Sequence, residues 1–145
     1  LAAHPEHYRM LVENPGRIAF AIEEMLRRHG VATVARKVLA DIPHGGVTVR
    51  AGDMIVLPTC LHGLDERRWA DPLTVDFDRR RDTHCTFGNG VHTCPGAGLA
   101  RSELAIMLEE WIARIPAFGL DPARPPRTAT GAVNGMIELH LVWPT

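Results

Sequence analysis

The chain holds only three cysteines, Cys60, Cys85 and Cys94, in 145 residues. An odd number at wide spacing excludes a closed disulfide framework and fits a reducing compartment, the cytoplasm. Net charge is also nearly absent. The 16 Lys and Arg are balanced by 17 Asp and Glu, which leaves a formal charge of −1 and a sequence pI near 6.8. That balance excludes the whole-chain basic excess by which nucleic acid or an anionic membrane surface is held, so neither is expected as a partner. Long apolar runs are missing as well. None approaches the roughly 18 residues of a membrane span, and no signal peptide opens the chain. No internal repeat or low-complexity tract is found, which excludes solenoid and tail-like classes. What remains is 46% hydrophobic, and a chain of this length buries roughly 70% of its unfolded surface, enough for a core.

The apolar pattern predicts helices interleaved with short strands. Pro15-Gly16 breaks the chain, and from Arg17 to His29 the positions Ile18, Ala21, Ile22, Met25 and Leu26 recur at helical spacing. Between Ala35 and Pro58, Val47 and Val49 alternate with polar residues while Gly45-Gly46 and Ala51-Gly52-Asp53 mark turns, which predicts short antiparallel strands. Asp65 to Asp82 is charged, studded with aromatics and poor in periodicity, the pattern of an irregular meander. Leu99, Leu104, Met107, Leu108, Trp111 and Ile112 predict one apolar face of a helix that runs to about Ile115, with Pro116 as its stop. After Pro122, Pro125 and Pro126, the alternation of Ile137, Leu139 and Leu141 predicts a terminal hairpin over 131–143. The fold class expected is mainly α with small antiparallel β-sheets, α+β.

One segment carries chemistry. Residues 87 to 103 read Phe-Gly-Asn-Gly-Val-His-Thr-Cys-Pro-Gly-Ala-Gly-Leu-Ala-Arg-Ser-Glu, a glycine-punctuated loop that delivers Cys94 to the mouth of a helix. Gly88, Gly90 and Gly96 let the backbone turn sharply and bring N–H groups toward the sulfur, and the helix adds its positive end. This is the environment that a thiolate ligand to haem iron needs. Three other readings of the same residues stand beside it. Cys94 could be a buried structural cysteine. His84, Cys85, His92 and Cys94 could form a zinc set, although their spacing is not a usual paired-ligand pattern. A redox thiol at a helix N-terminus is the third, with no resolving cysteine nearby.

Phe87, Gly90, Cys94 and Gly96 fill the cysteine-loop pattern of the cytochrome P450 family, which the chain resembles. His92 and Leu99-Ala100-Arg101 fit the bacterial, soluble branch of that family. Glu23-Glu24-Met25-Leu26-Arg27-Arg28, Gly63-Leu64-Asp65-Glu66-Arg67, Val75-Asp76-Phe77 and Leu141-Val142-Trp143 are similar to its camphor-hydroxylating subfamily. Departures lie where substrate would be chosen: Val34 stands in place of an aspartate, and Ala32 and Ala132 are smaller than the aliphatic residues there.

The resemblance implies haem b held by Cys94 as axial thiolate, the ligation that pushes electron density toward O–O cleavage. It assigns Arg36 and His92 to the haem propionates, Phe87 to shielding the sulfur, and Gly88 and Gly96 to the loop around the cofactor. It makes Glu24, Arg27 and Arg79 a structural network that reaches the cysteine loop. It also implies a monooxygenase that inserts one atom of dioxygen into a C–H bond, with electrons from a flavoprotein reductase through an iron-sulfur ferredoxin. Arg79, Arg80, Arg81 and Arg101 read either as a landing surface for that acidic donor or as ordinary solvated charge. Val31, Ala32, Val34, Ala132 and Val133 would line a pocket for a small apolar, terpenoid-like substrate. Because this family needs about three times the length and the chain opens on Leu1, residues 1–145 read as the C-terminal third of one haem-binding domain, its N-terminal two thirds absent. A haem-binding or sensing module without oxygenase activity and a non-functional remnant are the alternatives.

Overall fold

The computed structural model describes residues 1–79, 83–115 and 117–143. Helix α1 (Pro5–Glu13) starts on a proline, whose missing N–H has no partner to lose at that position. Pro15 prevents its continuation, and a single 3₁₀ turn, Pro15–Arg17, leads into α2 (Ile18–Arg28). A short α3 (Thr59–Gly63) and the long α4 (Ala97–Arg114) are the other α-helices among the described residues. Leu11, Ile18, Ala21, Ile22, Phe77 and Leu108 form the core where α1, α2, the meander and α4 meet. Buried Trp69 pins the meander, its indole N–H donating to the carbonyl of His62 at 2.9 Å.

Eight short strands pair into four two-stranded antiparallel sheets among the described residues. Strand β1 (Thr33–Lys37) pairs with β4 (Met54–Pro58), from Thr33 opposite Pro58 to Lys37 opposite Met54. Between them β2 (Ile42–His44) and β3 (Val47–Val49) form a hairpin. Its two-residue turn needs positive φ at both positions, which Gly45 and Gly46 supply at 54° and 81°. The α+β class expected from the sequence is the class found.

The tail differs from the expected hairpin over 131–143. Strand β5 (Gly119–Leu120) pairs with β8 (Leu141–Val142), and β6 (Arg127–Ala129) pairs with β7 (Gly135–Glu138). The hairpin therefore turns at 130–134 and is closed at its open end by the Arg127–Glu138 ion pair at 2.6 Å. Of the alternating residues, Ile137 lies in β7 and Leu141 in β8, in different sheets, and Leu139 falls between the two strands. Helix α4 also departs from its expected packing, because only Leu108 of its apolar face is fully buried. Met107 and Trp111 instead help line an open groove of about 1070 Å³, and Leu99 is exposed. The helix ends at Arg114, and Pro116, read as its stop, lies outside the described residues.

Candidate functional site

The cysteine loop is a tight, internally bonded turn. The N–H of Gly88 donates to the carbonyl of Cys85 at 2.9 Å, that of Thr93 to Gly90 at 3.1 Å, and that of Cys94 to Phe87 at 2.8 Å. Gly88 sits at φ 77°, and a Cβ there would stand 3.1 Å from the carbonyl oxygen of His92, so glycine is required on both counts. Gly90, at φ 64°, opens the 3₁₀ turn Gly90–His92. Cys94 is exposed, directly before α4, whose N-cap is Gly96. A Cβ on Gly96 would stand 3.7 Å from Sγ, so glycine keeps the approach to the sulfur open. Helix α4 has no side-chain cap, and its first N–H, that of Ala97, donates to the carbonyl of Cys94 at 3.2 Å. Within this chain Cys94 is thus at the surface and not packed in the core.

Strand β1 and the tail bring the other proposed residues together. Side chains alternate along a strand, so Val34 and Arg36 share one face of β1, with Ala32 in the same phase just before it. Ala32 forms an isolated antiparallel bridge with Val133, the Thr33 N–H donates to Ala132 at 2.8 Å, and the Asn134 N–H donates to Val31 at 2.8 Å. The five apolar residues named for a pocket wall thus lie on two adjoining segments. The guanidinium of Arg36 folds back to donate to the carbonyl of Ala35 at 2.8 Å. His92 is exposed in the 3₁₀ turn.

Glu24 and Arg27, three apart on α2, form a buried bidentate pair: Nε to Oε2 at 2.7 Å and Nη2 to Oε1 at 2.8 Å. Arg27 is 1% exposed and Glu24 6%. Arg79 donates from Nε to Glu24 Oε1 at 3.0 Å, and the Asp76 N–H adds a fourth bond at 3.0 Å. Burial alone would raise the Glu24 carboxyl, but the bonds from Arg27, Asp76 and Arg79 outweigh it and hold the group below its ordinary value.

The remaining donors of the two arginines go to backbone carbonyls of Gly63, Ala70, Asp71, Pro72 and Thr74. This corrects the expectation that the network reaches the cysteine loop. It binds α2 to the end of α3 at Gly63 and to the meander at Ala70, Asp71, Pro72 and Thr74, whose carbonyls accept from the two guanidinium groups. With its donors so committed, Arg79 is not a free cation for a partner surface. Arg80 and Arg81 lie outside the described residues.

A second network was not foreseen. Glu23, adjacent to Glu24, accepts from Arg101 of α4 (Nη2 to Oε2 at 3.1 Å) and stands 3.2 Å from His84 Nε2. Burial lowers the pKa of His84, and Glu23 only partly opposes it. The hydrogen bond from Arg101 lowers that of Glu23. Arg101 lies over the Phe87 ring, its Cζ 4.8 Å from the centroid. Glu23 and Arg101 each stand in a motif of the sequence, the Glu23–Arg28 stretch and the Leu-Ala-Arg run, but nothing there joins the two. The two networks face a shared cavity of about 430 Å³ that Glu23, Glu24, Arg27, Arg79, His84 and Arg101 help to line.

The zinc set His84, Cys85, His92 and Cys94 is not assembled. Among the described residues the one trio of ligand atoms close enough for a metal is His4, Glu6 and His7, at the N-cap and first turn of α1. His84 spends its Nε2 on Glu23 instead. No helix among the described residues is long and apolar enough to cross a membrane.

The family model described as "Cytochrome P450" matches residues 19–123. "Probable cytochrome P450 127A1" of Sinorhizobium fredii is 38% identical over 99% of this chain, and "Nocardicin C N-oxygenase" of Nocardia uniformis subsp. tsuyamanensis is 35% identical over 99%. The chain spans 34% and 37% of those two proteins, about a third of their length. The crystal structure of cytochrome P450 CYP101C1 superposes with a TM-score of 0.95 at 41% identity, covering all of this chain and 37% of that one.

Proposed function

Because this chain belongs to the cytochrome P450 family, we propose that its Cys94 is the axial thiolate ligand of haem b in a monooxygenase. Members of the family bind haem b through such a thiolate. The observation that carries the reading is the sulfur itself: exposed, at the uncapped N-terminus of α4, on a turn that only Gly88 and Gly90 can make.

The residues present fit the group. Gly96 leaves room beside the sulfur, the positive end of α4 favours an anionic ligand, and in this reading Phe87 keeps water from it. Arg36 and His92 supply donors for the two propionates. Haem so bound supplies the activation of dioxygen and the insertion of one oxygen atom into a substrate C–H bond. The protein holds the ligand, screens it and orients the substrate. Val31, Ala32, Val34, Ala132 and Val133 contribute small apolar walls, which suit a compact, terpenoid-like hydrocarbon. The relatives bear names for chemically varied products, "Pentalenic acid synthase" and "Vitamin D3 dihydroxylase" among them, so the substrate class rests on these walls. Electrons come from a small redox protein, in this reading an iron-sulfur ferredoxin reduced by a flavoprotein. The free Cys60, Cys85 and Cys94 support a cytoplasmic setting. Residues 1–145 supply the C-terminal, thiolate-bearing part of a single haem-binding domain.

The test is spectroscopic. The reduced, carbon-monoxide-bound haem protein is expected to show the long-wave Soret band of thiolate ligation, and Cys94→Ala to abolish it. A Cys94→Ala protein that keeps the band overturns the assignment.

A further inference from the structure

Beyond the residues assigned above, we propose that Glu23 is a positioning residue for the cysteine loop, acting through Arg101 and His84. The inference rests on the haem-thiolate reading for its consequence at the haem, and on the hydrogen-bond geometry alone for the clamp itself.

Glu23 joins three segments. It projects from α2, accepts from Arg101 in the second turn of α4, and holds His84, which lies one residue before Cys85, the residue whose carbonyl anchors the loop turn. From Arg101 the contact continues to the loop: its guanidinium covers the Phe87 ring at 4.8 Å, and the Phe87 carbonyl takes the Cys94 N–H at 2.8 Å. Thr86 donates from Oγ1 to the carbonyl of Leu26 at 2.8 Å, so α2 grips the approach to the loop at His84 and again at Thr86. Glu24 cannot serve here because its oxygens are spent on Arg27, Arg79 and Asp76.

A carboxylate is the group the place requires. Arg101 sits close to the positive end of α4, where a cation is disfavoured, and a neighbouring anion offsets that field. The His84 side chain is only 5% exposed. Without Glu23 its Nε2 would be left buried beside a cation with no acceptor. The guanidinium also donates from Nη1 to the Ala97 carbonyl at 3.3 Å, which fixes it to the base of the helix that follows Cys94. Glu23 therefore sets where Arg101 lies, and Arg101 sets where Phe87 lies.

The experiment uses the full chain, with and without haem. Amide hydrogen exchange of residues 84–95 is expected to speed up roughly five- to tenfold in Glu23→Gln, the effect of losing charged hydrogen bonds that are partly exposed. Exchange in β1 and β4 should stay at the wild-type rate. With haem, the long-wave Soret band of the carbon-monoxide complex should convert to the short-wave form several-fold faster than in wild type. Adding Arg101→Gln to Glu23→Gln should cost little more, because both act on one contact. Exchange at 84–95 within twofold of wild type in Glu23→Gln overturns the proposal, and so does a uniform acceleration across the whole chain. Should Glu23→Gln fail to fold, Arg101→Lys keeps the charge but loses the fork. It is expected to loosen 84–95 in the same way, and wild-type exchange there is equally fatal. A Cys94→Ala haem protein that keeps the long-wave band, with the exchange effect of Glu23→Gln intact, would sink the haem reading and leave the clamp standing.

Discussion

Replacing Glu24 by alanine puts the largest single cost on this structure. The substitution removes the acceptor of two arginines at once: Arg27, 1% exposed, loses two bonds, and Arg79 loses one. Arg27 keeps its carbonyl partners at Pro72 and Thr74, which satisfy hydrogen bonds but do not neutralise a buried charge. Breaking one side of a buried ion pair costs roughly 3–5 kcal/mol, against a total stability of about 5–15 kcal/mol. At about 2 kcal/mol per molar of urea, the midpoint should fall by about 2 M. Glu24→Gln keeps the shape and part of the bonding and should lose less. A double replacement, Glu24→Leu with Arg27→Met, removes both charges and should cost less than Glu24→Ala alone, since desolvating the ions is itself expensive. The assay is urea unfolding of the full chain followed by far-UV circular dichroism, with haem content of the purified proteins as a second readout. A midpoint within 0.5 M of wild type for Glu24→Ala, at about 1 kcal/mol, would refute the reasoning.

Gly63→Ala should be nearly as damaging, because a Cβ there would fall on the carbonyl oxygen of Arg27, a backbone atom that cannot give way. A loss of about 3 kcal/mol by urea unfolding is expected, whereas Gly98→Ala, in α4 with open space around it, should be neutral or gain up to about 1 kcal/mol. Acid should act in two windows. Burial lowers the pKa of His84 and of His29 from 6.5, and the Glu24 carboxyl lies below 4.5. Each group takes its proton less readily when folded, so the stability it contributes is complete above its unfolded value and is lost as pH falls through the folded one. Urea midpoints should be flat above pH 6.5, decline below it and decline again below 4.5, and His84→Gln should reduce the upper step. A midpoint that rises from pH 6.5 to 5 would contradict the His84 and His29 assignments, and one that rises as the pH falls below 4.5 would contradict that of Glu24.

Much of this protein follows from local chemistry that a sequence states outright. The glycines at 88 and 90 dictate a positive-φ turn, the helical period from Ile18 puts Glu24 and Arg27 on one face, and the Gly45-Gly46 pair makes a hairpin. Those patterns carried the α+β class and the family, because each depends on neighbours within a few positions. Partners far along the chain were a different matter. Ile137, Leu139 and Leu141 alternate as one strand would, yet β7 and β8 pair with β6 and β5, a choice settled by where the turn at 130–134 falls and by the Arg127–Glu138 pair. Arg27 needed acceptors, but that they are the carbonyls of Gly63, Pro72 and Thr74 and not the cysteine loop depends on how the meander packs under α2. The division of labour between Glu23 and Glu24 is the sharpest case. Two adjacent glutamates look alike in a sequence, but neighbours on a helix point about 100° apart, so one is buried in the meander and the other turns to α4 and His84.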